Sequence, residues 1–171
     1  MSAGADIGQA VAAVIAAVRL AAPDPAEQLR IMLDLANQVG TSPVAVRCRR
    51  AAVIGAARAS REYRPASYDD AVATLGTVIA AIDVEATAAG DGHAGDVFTA
   101  LIKLRQSVIA DLLARGASLA PIITVHTAQP MSALVQSAVL YRTAARAGEI
   151  VAAANPVHPG FLPTVLRVLA R

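Results

Sequence analysis

Apolar side chains recur every three or four residues through the first two thirds of the chain, a spacing that is typical of amphipathic helices. Proline-containing or glycine-containing polar segments interrupt this pattern at regular intervals. Five helices are therefore predicted, over about residues 5–21, 25–39, 43–63, 68–88 and 94–115. The stripe of the first helix comprises Ile7, Val11, Val14 and Val18, and that of the second comprises Leu29, Met32, Ala36 and Val39.

Residue types at the helix ends support these boundaries. Asp24-Pro25 and Ser42-Pro43 each combine a capping side chain with proline at the first helical position. Ser67 is a further capping residue, and Gly40 is expected to end the second helix in a left-handed conformation. These signals separate the helices without long loops.

The fourth and fifth helices carry the clearest apolar stripes. The fourth alternates steps of four and three residues, as in a helix-bundle seam, at Tyr68, Val72, Leu75, Ile79 and Ile82. The corresponding stripe of the fifth comprises Val97, Leu101, Leu104, Val108 and Leu112. Because only a short glycine-rich loop separates the two helices, they are predicted to form an antiparallel hairpin.

The pattern changes after residue 117. A β-rich run at residues 122–126 is followed by Gln129-Pro130, two short helical segments and a second β-rich run at residues 165–169. The predicted fold class is therefore mainly α. A helical bundle of about five helices, at residues 1–117, is followed by a small β-α-α-β module at residues 118–171.

Composition refines this view of the core. Hydrophobic residues make up 56% of the chain but aromatic residues only 3%, so small side chains are expected to let the helices approach closely. A single cysteine, Cys48, excludes an internal disulfide, and the first residues lack the positive charges of a secretory signal. The apolar run at residues 10–22 contains Arg19 and is too short to cross a bilayer. A cytoplasmic chain without a membrane span is therefore expected.

One side of the third helix is rich in arginine. Arg47, Arg50, Arg58 and Arg61 fall within about 80° of one another on a helical wheel. Cys48, Ala52, Ala56 and Ala59 lie opposite, so Cys48 is expected to be a buried thiol. The arginine side could contact an anionic partner. The alternative, which the sequence favours, is ion pairing with acids of neighbouring helices at Asp69, Asp70, Asp83 or Glu85.

Enzyme signatures are scarce in the sequence. It contains no phosphate-binding loop, no dinucleotide-binding turn and no nucleophile elbow. His93, His126 and His158 lack second ligands at metal-binding spacing. We therefore expect neither catalysis, nor a cofactor, nor a metal site.

The last part of the chain resembles a divergent LysM domain in its order of strand, Gln129-Pro130 turn, two helices ending at Asn155-Pro156, and strand. More specifically, it resembles the C-terminal part of the Mu-like bacteriophage DNA circulation (circularisation) proteins. The matching residues are Leu140-Tyr141, 144–147, 149–151, Asn155, 158–163 and 166–169. Arg142-Thr143 stands where that family has Gly-Asp, and Thr164 stands where LysM domains have glycine. The helical residues 112–117 resemble the same family.

This resemblance implies a structural component of a contractile or Mu-like phage tail, near the baseplate hub or the tape-measure end. Its partners would be other tail or baseplate proteins in a multimeric assembly, formed in the host cytoplasm. The candidate partner-binding residues are His158, Pro159, Phe161 and Leu162, because exposed apolar side chains on a turn mark an interface. Phe161 could alternatively fill the core of its own module.

Three other functions stay open at this point. A DNA-binding or DNA-circularising protein would use the arginine side of the third helix, with salt-dependent affinity. A peptidoglycan-binding protein would use the groove of the LysM-like module. A helical regulator of the host cell, without any connection to a tail, has the least support.

Overall fold

A computed structural model describes residues 3–37, 40 and 42–170, with the side chains of the first helix at residue 9 and from residue 12 onward. These residues are mainly helical and add a small antiparallel sheet, which confirms the predicted class. They form two compact units, Met1–Ala66 with Asp70–Ala117, and Ser67–Asp69 with Ser118–Arg171. The helices are α1 (Ala3–Ala21), α2 (Pro25–Ala36), α3 (Pro43–Glu62), α4 (Tyr68–Asp91), α5 (Gly95–Gly116), α6 (Ala133–Tyr141) and α7 (Ala147–Ala154). The strands are β1 (Ile122–His126) and β2 (Val165–Leu169).

The helix starts of the first unit follow the capping residues of the sequence. Side-chain oxygens of Asp24 and Ser42 accept hydrogen bonds from backbone amides in the first turns of α2 and α3. The end of α2 was predicted wrongly. The helix stops at Ala36, and Asn37 caps it in a right-handed conformation. Val39 lies outside the described residues.

Small side chains allow α2 and α3 to pack closely. Ala52, Ala56 and Ala59 of α3 are buried, as the sequence predicts, and Gly55 lies against the buried Met32 of α2. A Cβ atom added to Gly55 would lie 2.5 Å from the Met32 sulfur and 2.8 Å from its Cε. The absent side chain of Gly55 therefore leaves the space that the Met32 side chain occupies.

We expect Gly55→Ala to lower the free energy of unfolding by at most about 1 kcal/mol, because the added methyl group displaces the buried Met32 side chain and this cost exceeds the gain in helix propensity. Gly76→Ala on α4 is the matched control, since its Cβ would have no neighbour within 4 Å. Gly76→Ala should raise the free energy of unfolding by up to about 1 kcal/mol, because alanine has a higher helix propensity than glycine. Urea unfolding followed by circular dichroism measures both values. Equal effects at the two positions would contradict the packing argument.

The buried side of α4 differs from the predicted stripe. Ile82 is fully buried and Leu75 and Ile79 are partly buried, but Tyr68 and Val72 are exposed. The buried positions are instead mostly small or polar: Ala71, Thr74, Val78, Ile82, Glu85, Ala86 and Ala89. The stripe is rotated because close helix packing selects small side chains, whereas the prediction followed the large ones.

The α4–α5 hairpin is antiparallel, as predicted. The Arg105 Nε donates to the Asp83 Oδ1 at 2.8 Å, and Phe98 lies over Gly90. In each pair the two residues lie equally far along the sequence from Ala94, which is in the turn that joins the helices. Such symmetric pairing is what an antiparallel hairpin produces. Leu101, Val108 and Leu112 of the predicted α5 stripe are buried, whereas Val97 and Leu104 are only partly buried.

Among the described residues, α4 is the one helix whose length and composition would allow it to cross a membrane, with a mean hydropathy of 1.5 over its best window. Only 28% of that window is buried. A core helix of a soluble protein passes the same test, so the expectation of no membrane span stays a prediction.

The second unit contains β1, α6, α7 and β2, with strand bounds equal to the predicted ones. The strands pair in an antiparallel register from Ile122 with Leu169 to His126 with Val165. Its core comprises Ala133, Tyr141, Ile150, Leu162, Leu166 and Val168. The Tyr141 hydroxyl donates to the Leu169 carbonyl oxygen at 2.7 Å, and the Arg146 guanidinium lies 3.8 Å from the Tyr141 ring centroid. The hydrogen bond of Tyr141 joins α6 to β2.

Candidate docking site

The segment between α7 and β2 forms a tight turn with several local hydrogen bonds. The Gly160 amide donates to the His158 Nδ1 at 2.9 Å, and the Phe161 amide donates to the His158 carbonyl oxygen at 3.0 Å. A Cβ added at Gly160 would lie 3.0 Å from the His158 Nδ1, which is a tight contact. The His158 side chain therefore shapes the turn.

Two further hydrogen bonds join this turn to the start of α6. The Leu162 amide donates to the Met131 carbonyl oxygen, and the Ala133 amide donates to the Pro159 carbonyl oxygen, both at 2.9 Å. The second bond satisfies an amide of the first helical turn that has no partner within its own helix. The turn is thus fixed on both sides before any partner binds.

Because of these hydrogen bonds, the neighbouring side chains of Phe161 and Leu162 point in different directions, one to solvent and one to the core. Leu162 is 1% exposed and belongs to the core of the unit, whereas Phe161 is 72% exposed. The prediction that Leu162 contacts a partner is therefore wrong. The hydrogen bond from its amide to Met131 orients the backbone so that the side chain faces the core. His158 and Pro159 are exposed, and the alternative role of Phe161 as core filler does not hold. The Phe161 ring lies 5.9 Å from the His158 ring, centroid to centroid.

The outward side of α6 is apolar, which the sequence pattern did not predict. Leu134, Val135 and Val139 are 61%, 50% and 62% exposed, while Gln136 and Ser137 are buried on the opposite side. The Ser137 hydroxyl donates to the Thr143 carbonyl oxygen at 2.7 Å. The sequence carries a signal for this, since Gln136 and Ser137 are adjacent and the other residues of α6 up to Leu140 are apolar. An apolar side turned to solvent is typical of a protein interface.

The arginines of α3 fall into two groups in the structure, those paired with a buried acid and those exposed to solvent. Arg50 donates through Nε to the Glu85 Oε1 at 2.6 Å, and Arg49 donates through Nε to the Glu85 Oε2 at the same distance. Glu85 is fully buried. The Arg50 guanidinium therefore pairs with Glu85 within the protein. The prediction that Arg50 contacts an anionic partner is corrected accordingly.

Arg47, Arg58 and Arg61 are exposed, and no ion pair within the described part of the chain includes them. Arg58 and Arg61 line a shallow concavity with Arg19, which is itself paired with Glu62. The thiol of Cys48 is also exposed, contrary to expectation. Cys48 shares a side of the helix with Ala52, but it lies before the buried part of α3, which begins at Ala51.

The remaining titratable groups do not assemble into a site of their own. Within residues 3–37, 40 and 42–170, no group of three or more histidine, cysteine, aspartate or glutamate side chains could hold a metal ion. Burial raises the pKa of Tyr141, and the nearby Arg146 opposes this effect. Burial, with the hydrogen bond to Asp70, raises the pKa of Tyr63 to about 12.

A scan against protein-family models and a search of curated protein sequences find no match to this chain.

Proposed function

We propose that this protein is a structural component of a contractile or Mu-like bacteriophage tail, near the baseplate hub or the tape-measure end. It acts by protein–protein assembly and without catalysis. A five-helix bundle would pack against tail neighbours, and a LysM-like module would dock into a baseplate protein in the host cytoplasm. The observation that carries this proposal is the exposed Phe161 on a turn that is already fixed by hydrogen bonds.

The rigidity of the turn supports docking. A side chain that is held in its bound position loses little conformational entropy when a partner covers it. Aromatic residues that become buried in a partner's pocket are among the side chains that contribute most to binding. The backbone of Phe161 is fixed by the hydrogen bonds of the turn, and its exposed aromatic side chain is available to a partner's pocket. Val157 adds a second exposed apolar side chain to the same segment.

Backbone conformation supports the resemblance to the tail family. Arg142 ends α6 with a φ of 60°, in the left-handed region that glycine adopts most readily. It stands where that family has glycine. Asn155 ends α7 with a φ of 42°, and asparagine is the common alternative to glycine at such a position. Asn155 is a residue of the shared pattern, and Arg142 stands at a position where the family has glycine.

The test is mass spectrometry of purified tails from the source strain, with a Phe161→Ala strain beside the wild type. We expect the wild-type chain in tails at a fixed low copy number. Loss of a buried aromatic anchor should weaken docking by about 2 kcal/mol or more, which is roughly 30-fold in affinity. Phe161→Ala tails should therefore contain much less of the chain. Leu20→Ala, at a residue of α1 that is 86% exposed, is the control.

Two results would count against this proposal. Absence of the wild-type chain from assembled tails, with free protein in the lysate, would exclude a structural role in the particle. Equal incorporation of the wild-type and Phe161→Ala chains would exclude the turn as the docking element. DNA handling through Arg58 and Arg61, or glycan binding by the second unit, would then be the remaining candidates.

A further inference from the structure

A groove of about 970 Å³ lies between α3 and α5 in the first unit. Near the C-terminal ends of these helices, the Arg115 guanidinium donates to the carbonyl oxygens of Ser60 and Tyr63, at 2.8 and 2.6 Å. The lining residues lie nearer the N-terminal ends, at residues 43–54 of α3 and 96–104 of α5. The two helices therefore run side by side in the same direction, and the groove follows them.

The walls of the groove are mainly apolar. Val46 and Ile54 line it from α3, and Val97, Ala100 and Leu104 line it from α5. On each helix these positions are separated by three, four, seven or eight residues, which places them along one stripe. Two parallel apolar stripes with a gap between them form the geometry into which a third helix packs.

The dimensions agree with one short helix. The rise from Val46 to Ile54 is about 12 Å at 1.5 Å per residue. A helix of that length has about two turns. Sites for small molecules bury most of the ligand surface, whereas this groove is open to solvent beside the exposed Ala100.

Charges of opposite sign stand on the two walls. Arg47 lies on the α3 side and Asp96 on the α5 side, and both are exposed. Neither belongs to an ion pair among the residues that the structure describes. A complementary occupant would carry an acidic side chain toward Arg47 and a basic one toward Asp96.

We propose that this groove binds an amphipathic α-helix of a partner protein, whose apolar stripe is flanked by acidic residues on one side and basic residues on the other. The occupant would complete the contact between α3 and α5 where the two helices separate. This inference rests on residues of the first unit alone and does not depend on the function proposed for Phe161.

The probe is a displayed library of helical peptides, each about four turns long, with a fixed leucine stripe and flanking positions randomised among charged and polar residues. We expect selection on the full chain to enrich peptides with acids on one flank and bases on the other. Ala100→Trp fills the groove and should weaken their binding at least tenfold. Ala110→Trp makes the same change at an exposed position of α5 outside the groove, and it should have no effect.

Charge reversal provides the decisive comparison. In the Arg47→Glu/Asp96→Lys variant, selection should favour peptides with the two flanks exchanged. Failure to enrich any helical peptide, or enrichment that ignores both the Ala100→Trp and charge-reversal changes, would overturn the proposal. Self-association that Ala100→Trp abolishes would assign the groove to a second copy of the chain. Saturable binding of dodecanoate at the groove, without peptide binding, would assign it to a small amphipathic carboxylate.

Discussion

Replacing Glu85 with leucine is expected to lower the free energy of unfolding by about 3–5 kcal/mol. The carboxylate is fully buried and binds two guanidiniums, those of Arg49 and Arg50, which are only 19% and 30% exposed. Without Glu85, both cations stay in a partly desolvated site with no counter-charge. Urea denaturation followed by circular dichroism measures the loss without adding salt that would screen the remaining charges.

Two further variants make this prediction specific. Asp83→Ala removes the acid of a more exposed pair with Arg105, and it should cost at most about 1 kcal/mol. The triple change Glu85→Leu/Arg49→Met/Arg50→Met replaces the whole cluster by apolar side chains, and it should recover most of the stability lost in Glu85→Leu. If the triple variant were as unstable as Glu85→Leu, stranded charge could not explain the loss.

Leu162→Ala is expected to destabilise the second unit by about 2–5 kcal/mol, while Phe161→Ala changes its stability by no more than about 0.5 kcal/mol. Leu162 belongs to a core of only a few large side chains, and small units seldom have more than a few kcal/mol to lose. Amide resonances of residues 118–170 should therefore collapse in Leu162→Ala, while those of the first unit stay dispersed.

The two substitutions form a natural pair, because they truncate neighbouring side chains of similar apolar character. Phe161→Ala should keep a native spectrum and yet reduce incorporation into tails. Similar losses of stability in both variants would place Phe161 in the core and remove it from the docking site. Similar spectra and native incorporation in both would contradict the environments described for the two side chains.

Patterns that depend on neighbouring residues in the chain were predicted well. The caps at Asp24 and Ser42 and the bounds of β1 and β2 follow from short stretches of sequence, because turns and alternating strands are local structures. The mainly helical class follows from the same periodicity. The sequence also named Glu85 among the possible partners of the arginines.

Features that depend on packing could not be predicted in the same way. The stripe through Val72 is rotated because small residues, such as Ala71, allow the closest approach between helices. Phe161 and Leu162 could not be distinguished, since their directions depend on a hydrogen bond to Met131 from a distant part of the chain. The outward apolar side of α6 contradicts the rule that polar residues face solvent, and a partner surface is a physical reason for such an inversion.

The Glu85 cluster also bears on how α3 finds a unique orientation. A helix whose buried side is almost entirely alanine, glycine and serine presents few protrusions, so rotations about its axis or slips along it change the buried area little. One carboxylate that accepts from Arg49 and Arg50 at once fits a single rotation and a single translation. We infer that this buried charge contributes selectivity among alternative arrangements of α3, a role that buried ionic groups have in some proteins.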